Sequence, residues 1–489
     1  MESVQLLTLG LAIFIFIAVF RRRTAYARPV PTLPRVVVRD PEIARRILFD
    51  HADAFSDRGV SSFPVDFNGS RLQKRYSMNT VPFGPRWRSF RCNLTSNIFH
   101  PSRLGRLGHF QREAVKALVA GLYAQCPGEV TVRHSLHQAI FPLLVRLCFG
   151  DGVDMHVVHA IRSTLQEFFD GINPARALAP SSLGRLLHWR QWLRFAGTFE
   201  RLNALFVPLI EERRRRSKCG GFHSYVDSLL ELQVPDDDDT TTTGGKGVHN
   251  RRSRSLRNDQ ISALAWEFLG AGTWTVVSTI EWTLAHLIIQ PEIQKKLYQD
   301  VAGDDVVLTE EQLRRFPYLR AVMLESLRLH PSVPFMIRDA AGPEAAKACG
   351  PKALATLLPS RKKTAMAGCS LVHFIVSIKD IGWNRDAWTS PEKFIPERFL
   401  AGGEGEHVSP IPGSKEIKMM PFGAGRRSCP GAGLGMLHIK MFLAALVREF
   451  EWAPLAHDGG SEIDLKEQNG FFKVMQTPLR ARITPRHNK

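Results

Sequence analysis

Residues 421–431, which read PFGAGRRSCPG, constrain the fold more than any other segment of this chain. Glycines on both sides of Cys429 allow a tight turn and let the backbone approach a flat macrocycle closely. Arg426 and Arg427 bring positive charge, which favours a thiolate over a thiol and offers donors to an anionic group. The apolar run at 434–446 predicts a helix whose positive N-terminal end favours a negative sulfur. The segment therefore predicts Cys429 as the thiolate ligand of a haem iron.

The spacing within this segment resembles the haem-binding loop of the cytochrome P450 family. The family pattern Phe-x-x-Gly-x-Arg-x-Cys-x-Gly is matched at Phe422, Gly425, Arg427, Cys429 and Gly431. The resemblance implies heme b, iron protoporphyrin IX, with Cys429 as the metal ligand and the other four residues at the cofactor. A thiolate ligand pushes electron density onto iron and favours O–O cleavage. The alternative is a buried free cysteine in a glycine-rich turn.

Composition limits the class of protein. With 489 residues, 44% of them hydrophobic, the chain can bury a large core. Its seven cysteines form no CxxC pair, which argues for a reducing compartment and against a disulfide scaffold or structural zinc. The net charge of +18 suits an anionic membrane surface or an acidic redox partner. No nucleic-acid module surrounds the basic clusters, so nucleic acid is not expected as a partner.

The N-terminus predicts a membrane anchor. Residues 4–20 form an apolar run just long enough to cross a bilayer as a helix. Three arginines at 21–23 follow it, which by the positive-inside rule keeps the rest of the chain cytoplasmic. We predict an anchor with its basic flank at 1–23, single-pass in the endoplasmic reticulum membrane, with the catalytic domain facing the cytosol. A cleaved signal peptide is the alternative, but its positive charges should precede the apolar core.

Beyond the anchor, a short proline-containing hinge at 24–35 leads to one haem-thiolate catalytic domain at 36–489. Apolar spacing of three and four predicts helices over 42–48, 109–122, 182–216 and 260–289. Short strands are predicted at 36–38, 371–378 and 472–475. The low-complexity stretch DDDDTTTTGG predicts a mobile loop at about 235–257. The predicted fold class is mainly α with a minor β component, as in the cytochrome P450 fold, where a helical haem-binding body carries a small β region.

Glu325 and Arg328 are three residues apart, so a helix places them on one face. Taken alone, they would be a solvent-exposed ion pair. Flanked by apolar residues and followed by PERF at 396–399, they instead resemble the Glu-x-x-Arg helix of the family and the later arginine, here Arg398, of a buried network. The resemblance implies a structural triad that holds the haem loop.

Trp87 and Arg91 are four residues apart in a segment opened by Pro85, which predicts the start of a helix. Similar Trp and Arg positions in the family donate to a haem propionate, so the resemblance assigns both to cofactor binding. Arg338, beyond the Glu-x-x-Arg helix, receives the same role. The alternative for Trp87 and Arg91 is an ordinary amphipathic helix end.

The helix predicted at 260–289 carries Ala271, Gly272 and Thr275 in register with the oxygen-binding groove of the family, Ala/Gly-Gly-x-Asp/Glu-Thr. The resemblance makes these three residues catalytic, with Thr275 hydrogen-bonding dioxygen and helping to deliver protons. Glycines and hydroxyl residues weaken a helix, so we predict a local distortion that makes room for a ligand. The alternative is a plain buried helix with small residues for packing.

Trp274 occupies the position of the family's acidic residue before Thr275. Its indole N–H can donate a hydrogen bond but cannot relay a proton as a carboxylate does. Glu267 and Glu281 lie seven residues to either side, about two helical turns away, too far to replace the acid directly. The substitution predicts either proton delivery through water or another residue, or weak turnover with loss of peroxide.

Two further segments depart from the family pattern. Only residues 21–35 separate the anchor from the first predicted strand, where family members usually have a proline-rich hinge, a helix and another strand. Residues 340–368 are rich in Ala and Lys and lack the usual short β hairpins. A divergent gene, a misjoined coding sequence or an altered access channel would each explain these departures.

Together the motifs predict a membrane-anchored haem-thiolate monooxygenase, resembling plant microsomal members of the family. It would insert one atom of O2 into a small lipophilic substrate, with electrons from NADPH through a flavoprotein reductase. The resemblance places substrate contacts at 58–80, Ala271, 333–335 and 471–474. One alternative is a reductase-independent isomerase or dehydratase, which needs no acid beside Thr275. The other is a catalytically impaired haem-binding membrane protein.

Overall fold

The computed structural model describes residues 27–29, 35–58, 65–67, 77–79, 81–178, 187–216, 223–235, 253–303, 308–349, 372–455 and 463–486. The anchor predicted at 1–23 lies outside these residues, as do 30–34 of the hinge and 236–252 of the low-complexity loop. Across the described ranges, no helix combines the length and the apolar character that a bilayer crossing requires.

The fold is mainly α-helical with small β-sheets, which confirms the predicted class. The helices are α1 Pro41–Arg45 with a π-helical turn Arg46–Asp50, α2 Pro85–Asn97, α3 Pro101–Tyr123, α4 Val132–Phe149, α5 Met155–Leu178, α6 Trp189–Arg216, α7 Tyr225–Glu231, α8 Asn258–Ile289, α9 Pro291–Val301, α10 Glu310–Leu313, α11 Pro317–Leu329, α12 Gly342–Cys349, α13 Ile378–Gly382 and α14 Ala432–Glu449. Two 3-10 turns lie at Pro396–Phe399 and Gly425–Arg427. The four helices predicted from apolar spacing are present, although 179–186 lie outside the description.

The strands are β1 Ala27–Pro29, β2 Arg35–Val38, β3 Val65–Phe67, β4 Gly128–Thr131, β5 Gln233–Pro235, β6 Ser253–Ser255, β7 Phe335–Ala340, β8 Val372–Ser377, β9 Phe450–Ala453 and β10 Arg480–Pro485. They form two three-stranded sheets, β2-β8-β7 and β4-β10-β9, and two pairs, β1-β3 and β5-β6. In the first sheet β2 runs parallel to β8, and β7 runs antiparallel with Arg338 opposite Phe374. This register places Arg338 in the interior, where it is buried.

Helix α8 is the central element of the helical body. It packs against α4, α6, α11 and α14, and most of its residues are buried because it is apolar on every face. The predicted distortion does not break or divide the helix, since α8 is α-helical over 32 residues. Its glycines instead permit close packing: a Cβ on Gly270 would lie 2.6 Å from Phe169, and one on Gly272 would lie 2.7 Å from Leu144.

Several predicted boundaries need correction. Residues 472–475 form no strand beyond a single bridge at Met475, and the last strand is β10. Both edges of the low-complexity loop are ordered, because β5 and β6 pair there. The hinge contains β1, which pairs with β3. The irregular segment begins with α12, while 350–371 lie outside the described residues.

Glu325, Arg328 and Arg398 form one buried ionic network between α11 and the turn Pro396–Phe399. Arg328 makes two hydrogen bonds to Glu325, at 2.7 and 2.8 Å, and Arg398 Nε donates to the same carboxylate at 3.1 Å. Remaining donors of Arg328 reach the carbonyls of Gly382 and Pro391. One carboxylate therefore joins a helix to two distant stretches of loop.

We expect Glu325→Gln to lower the free energy of unfolding by about 3–5 kcal/mol, because it leaves buried guanidinium groups without their anion. The matched control is Glu310→Gln, which breaks an exposed pair with Arg314 and should cost no more than about 0.5 kcal/mol. Chemical denaturation monitored by circular dichroism measures both changes. Equal effects of the two substitutions would show that the buried network stabilises the fold no more than an exposed ion pair does.

Candidate functional site

One cavity of about 390 Å³ brings together most of the residues singled out in the sequence. Its wall is mainly apolar and is built by α2, α4, α5, α8, β7, α14 and the loop that carries Cys429. The predicted site residues on this wall are Trp87, Arg91, Ala271, Gly272, Thr275, Phe422, Arg427, Cys429 and Gly431. Arg338 directly follows the lining residue Ile337, and Gly425 lies within the Cys429 loop.

The Cys429 loop is a tight turn fixed by backbone hydrogen bonds. The N–H of Cys429 donates to the carbonyl of Phe422 at 2.8 Å. Gly425 has a φ of +68°, and a Cβ there would lie 2.5 Å from the carbonyl oxygen of Leu48. Glycine is needed at this position because a side chain would be strained in φ and would collide with the π-helical turn that follows α1. The turn leaves Cys429 at the start of α14.

The thiol of Cys429 is open to the cavity while surrounding protein shields it from bulk solvent. This burial raises the pKa of the thiol, and the N–H of Gly431 together with the charges of Arg91 and Arg58 opposes the rise. The sequence suggested Arg426 and Arg427 as the charges acting on the sulfur, and that was wrong. The guanidinium of Arg426 instead pairs with Asp53.

Arg58, Arg338 and Arg427 form a cluster of like charges beside the cavity. Burial lowers the pKa of Arg338 far below its usual value, and the charges of Arg58 and Arg427 lower it further. The pKa values of Arg58 and Arg427 fall to about 10, in both cases mainly because of burial. Within the described part of the chain, Arg427 has a carboxylate of Asp57 at 3.7 Å, whereas Arg58 and Arg338 have none within 4 Å.

Arg427 and Arg91 also hold the Cys429 loop in place. Arg427 donates to the carbonyls of Ser56, Met78 and Val81, and so fastens the loop to two preceding segments. Arg91, on α2, donates to the carbonyl of Ser428 next to the cysteine. The ring of Trp87 lies beneath both guanidinium groups, at 6.0 Å from Arg91 and 5.3 Å from Arg427.

These features fit a haem. Buried cations without carboxylate partners are costly, and an anion brought into the cavity would offset that cost. The Nε of Arg58 is buried without a hydrogen-bond partner and so provides a free donor for such an anion. The two propionates of heme b are anions of this kind, and Cys429 Sγ would be the metal ligand. The residues present therefore suit the cofactor that the motif predicts.

Ala271, Gly272 and Thr275 present one face of α8 to the same cavity. The hydroxyl of Thr275 donates to the carbonyl of Ala271 at 2.7 Å. The hydroxyls of Thr279 and Ser332 both donate to the carbonyl of Thr275 at 3.0 Å and lie 3.2 Å apart. Three hydroxyl groups therefore line the wall where the sequence predicted a place for dioxygen.

Trp274 points away from this wall. Its indole N–H donates to Gln166 on α5 at 3.0 Å, and its ring packs against Phe169 at 5.0 Å and His137 at 5.1 Å. These residues line a separate recess of about 50 Å³, which also contains Asp170. Burial lowers the pKa of His137 to about 3, so this imidazole is neutral near pH 7 and is no substitute for the absent acid.

The sequence placed Arg58 and Asn79 among the substrate contacts at 58–80, and both line the cavity, but it did not predict the charge of Arg58 near Cys429 or any role for Glu267. Arg58 and Asn79 lie in a stretch with no periodic pattern, so only the folded chain brings them to the cysteine. Glu267 carried a readable signal, since it precedes Ala271 and Thr275 by four and eight residues and so shares their helical face. Its carboxylate lines the cavity.

Comparison with known proteins agrees with this architecture. A model of the family "Cytochrome P450" matches residues 29–341 and 372–484. The interruption at 342–371 overlaps the segment that departs from the family pattern in the sequence. A solved zebrafish cytochrome P450, a structure with abiraterone, superposes with a TM-score of 0.65 over 96% of this chain and 99% of its own, at 20% identity. That likeness shows a shared fold.

Several similar proteins come from plants. Cytochrome P450 89A9 of Arabidopsis thaliana is 30% identical over 96% of this chain and 89% of its own length. Cytochrome P450 98A1 of Sorghum bicolor is 29% identical over 93% and 83%. A flavonoid 3'-monooxygenase of Crocosmia x crocosmiiflora is 28% identical over 92% and 84%. From the cysteine loop, the cavity and these matches together, the chain belongs to the cytochrome P450 family of haem-dependent monooxygenases.

Proposed function

We propose that this chain is a membrane-anchored monooxygenase that inserts one atom of O2 into a small lipophilic substrate. The observation that carries the proposal is the single cavity shared by the thiol of Cys429 and the Ala271–Thr275 face of α8. Electrons would come from NADPH through a flavoprotein reductase, as is general for microsomal family members. The anchor at 1–23 would hold the protein in the endoplasmic reticulum membrane with the body in the cytosol.

The cofactor residues would divide into two groups. Cys429 Sγ would ligate the iron, and the guanidinium groups of Arg58, Arg91 and Arg338 with Trp87 would hold the propionate side. Bound haem with a thiolate ligand supplies the cleavage of the O–O bond. The protein would contribute position, a dry cavity and hydrogen-bond donors.

The composition of the cavity wall favours a lipophilic substrate that carries a planar ring. Aromatic side chains contribute a large share of it, at Phe99, Phe168, Phe169, Tyr225, Trp266, Phe268, Phe335, Phe471 and Phe472. Aromatic rings favour stacked or edge-to-face partners. One relative is named a flavonoid 3'-monooxygenase, and an aromatic substrate of similar size would match this wall.

Proton supply is the step in which this chain would differ from its family. The hydroxyls of Thr279 and Ser332 lie within hydrogen-bond distance of each other, whereas the hydroxyl of Thr275 donates to the carbonyl of Ala271, and none of the three is an acid near pH 7. Trp274 is turned towards Gln166, outside the cavity. We expect part of the electron flow to end in hydrogen peroxide. The same feature would suit the second candidate, a haem-thiolate isomerase or dehydratase that uses no reductase.

The ligand assignment predicts a specific absorption spectrum. The reduced carbon monoxide complex of the haem-loaded protein should show the red-shifted Soret band of thiolate ligation, because a thiolate donates more electron density than an imidazole. Cys429→His should move the band to the position typical of histidine ligation, while Cys126→Ser should leave it unchanged. A folded, haem-replete wild-type protein without the band would refute the proposed function.

A second experiment tests the role of Trp274. Trp274→Asp restores a carboxylate beside Thr275, so the fraction of NADPH electrons lost as hydrogen peroxide should fall severalfold, because a placed acid assists proton transfer. Trp274→Asn is the matched control, since it opens the same space without an acid. Peroxide formed per NADPH oxidised, in microsomes with reductase, is the readout. Equal ratios in the wild type and both variants would mean that protons arrive by another route.

A further inference from the structure

Glu267 is a cavity carboxylate that the proposed chemistry does not use. It lies on the face of α8 that carries Ala271 and Thr275 and contributes to the cavity wall. It precedes Thr275 by eight residues, a distance of about 12 Å along the helix axis. That separation excludes direct proton exchange with the hydroxyl of Thr275, so another role must explain a carboxylate in this position.

Both oxygens of Glu267 accept hydrogen bonds from one short turn, residues 77–79. Oε2 accepts from the N–H of Met78 at 2.7 Å. Oε1 accepts from the N–H of Asn79 at 2.8 Å and from the hydroxyl of Ser77 at 2.9 Å. Two consecutive backbone N–H groups and a hydroxyl thus converge on one carboxylate, the kind of charge-assisted contact that is stronger than a neutral hydrogen bond.

The opposite side of the same turn is held by the cluster next to Cys429. The carbonyl of Met78 accepts from Arg427 Nη1 at 3.3 Å, and Oδ1 of Asn79 accepts from Arg58. Met78 and Asn79 both line the cavity. The turn therefore connects α8 to the cysteine loop. Its contact with α8 consists of hydrogen bonds to the carboxylate of Glu267.

The environment of Glu267 shows that the carboxylate and the turn depend on each other. Burial raises the pKa of Glu267, and the hydrogen bonds from Ser77, Asn79 and Met78 together with the charge of Arg58 oppose the rise. A buried carboxylate is tolerated when such donors satisfy it, and buried N–H groups need acceptors in turn.

We propose that Glu267 is a positioning residue that fixes Met78 and Asn79 on the cavity wall and so determines how well ligands that reach this wall bind. The inference rests on the proposed use of the cavity as the substrate site. A wall that is already ordered costs no additional side-chain entropy when a ligand contacts it. Loss of the carboxylate would leave the cavity present but its wall unordered.

The test compares Glu267→Gln with Glu281→Gln in the haem-loaded protein. Glu281 is a matched control because it lies on the same helix, is fully buried, and pairs with Arg133 at 2.8 Å and the N–H of Leu479 at 3.0 Å. Its partners lie on α4 and near β10, so its loss should lower stability without touching the turn. A glutamine at 267 keeps the shape but removes the charge and turns an N–H group towards one of the donors.

Hydrogen exchange is the first readout. In Glu267→Gln the amides of Met78 and Asn79 should exchange at least about tenfold faster, the change expected from losing a hydrogen bond to a charged group. Ser77→Ala removes one of three donors and should give a smaller increase, which secures the test if the Gln variant folds poorly. Unchanged exchange in both variants would overturn the proposal, as would an equal increase in Glu281→Gln.

Ligand discrimination is the second readout. Imidazole and 4-phenylimidazole share the ring that binds iron, and the phenyl group of the larger ligand adds contact with the cavity wall. In Glu267→Gln the affinity for 4-phenylimidazole relative to imidazole should fall about tenfold, since two wall side chains must then be ordered on binding. An unchanged affinity ratio would overturn the proposal. Neither readout needs turnover. If the thiolate band were absent while the amides of the turn stayed protected, the proposed function would be refuted but the role of Glu267 would not.

Discussion

The guanidinium group of Arg338 is buried beside the cavity with no carboxylate of the described chain within 4 Å, and this charge sets the main electrostatic constraint on the structure. Arg427 shares the cost, because burial and the charge of Arg58 lower its pKa to about 10. An anion bound nearby would offset the cost of this arrangement. The thiol of Cys429 opens on the same cavity. Heme b would therefore supply both the anions, through its propionates, and the metal that the thiol binds.

A few hydrogen bonds between distant segments hold this site together. Arg427 donates to three carbonyls of the 56–81 stretch, and Glu325 joins α11 to the loop around Arg398. On the other side of the cavity, α8 approaches its neighbours closely because Gly270 and Gly272 leave room for Phe169 and Leu144. The residues that line the cavity come from most of the chain, from Arg58 to Phe472.

The sequence predicted what local patterns determine: the amphipathic helices, the turn around Gly425 and the helix that follows Cys429. Its predictions failed where contacts between distant segments determine the structure. The glycines of α8 indicated a weakened helix, yet the helix is unbroken and the glycines leave room for side chains from α4 and α5. The charges near the thiol were assigned to its sequence neighbours, although Arg58 and Arg91 reach it from distant segments. The direction of Trp274 likewise depends on its hydrogen bond to Gln166, which no spacing rule shows.

The measurement that tests the central claim most directly is a titration of the apoprotein with heme b and with its dimethyl ester. The ester keeps the macrocycle and the iron but removes both carboxylate charges. If buried arginines demand the anion, the ester should bind at least about 100-fold more weakly, the loss expected for two hydrogen bonds to charged groups. Equal affinities would contradict the account, because the cavity would then recognise the macrocycle alone.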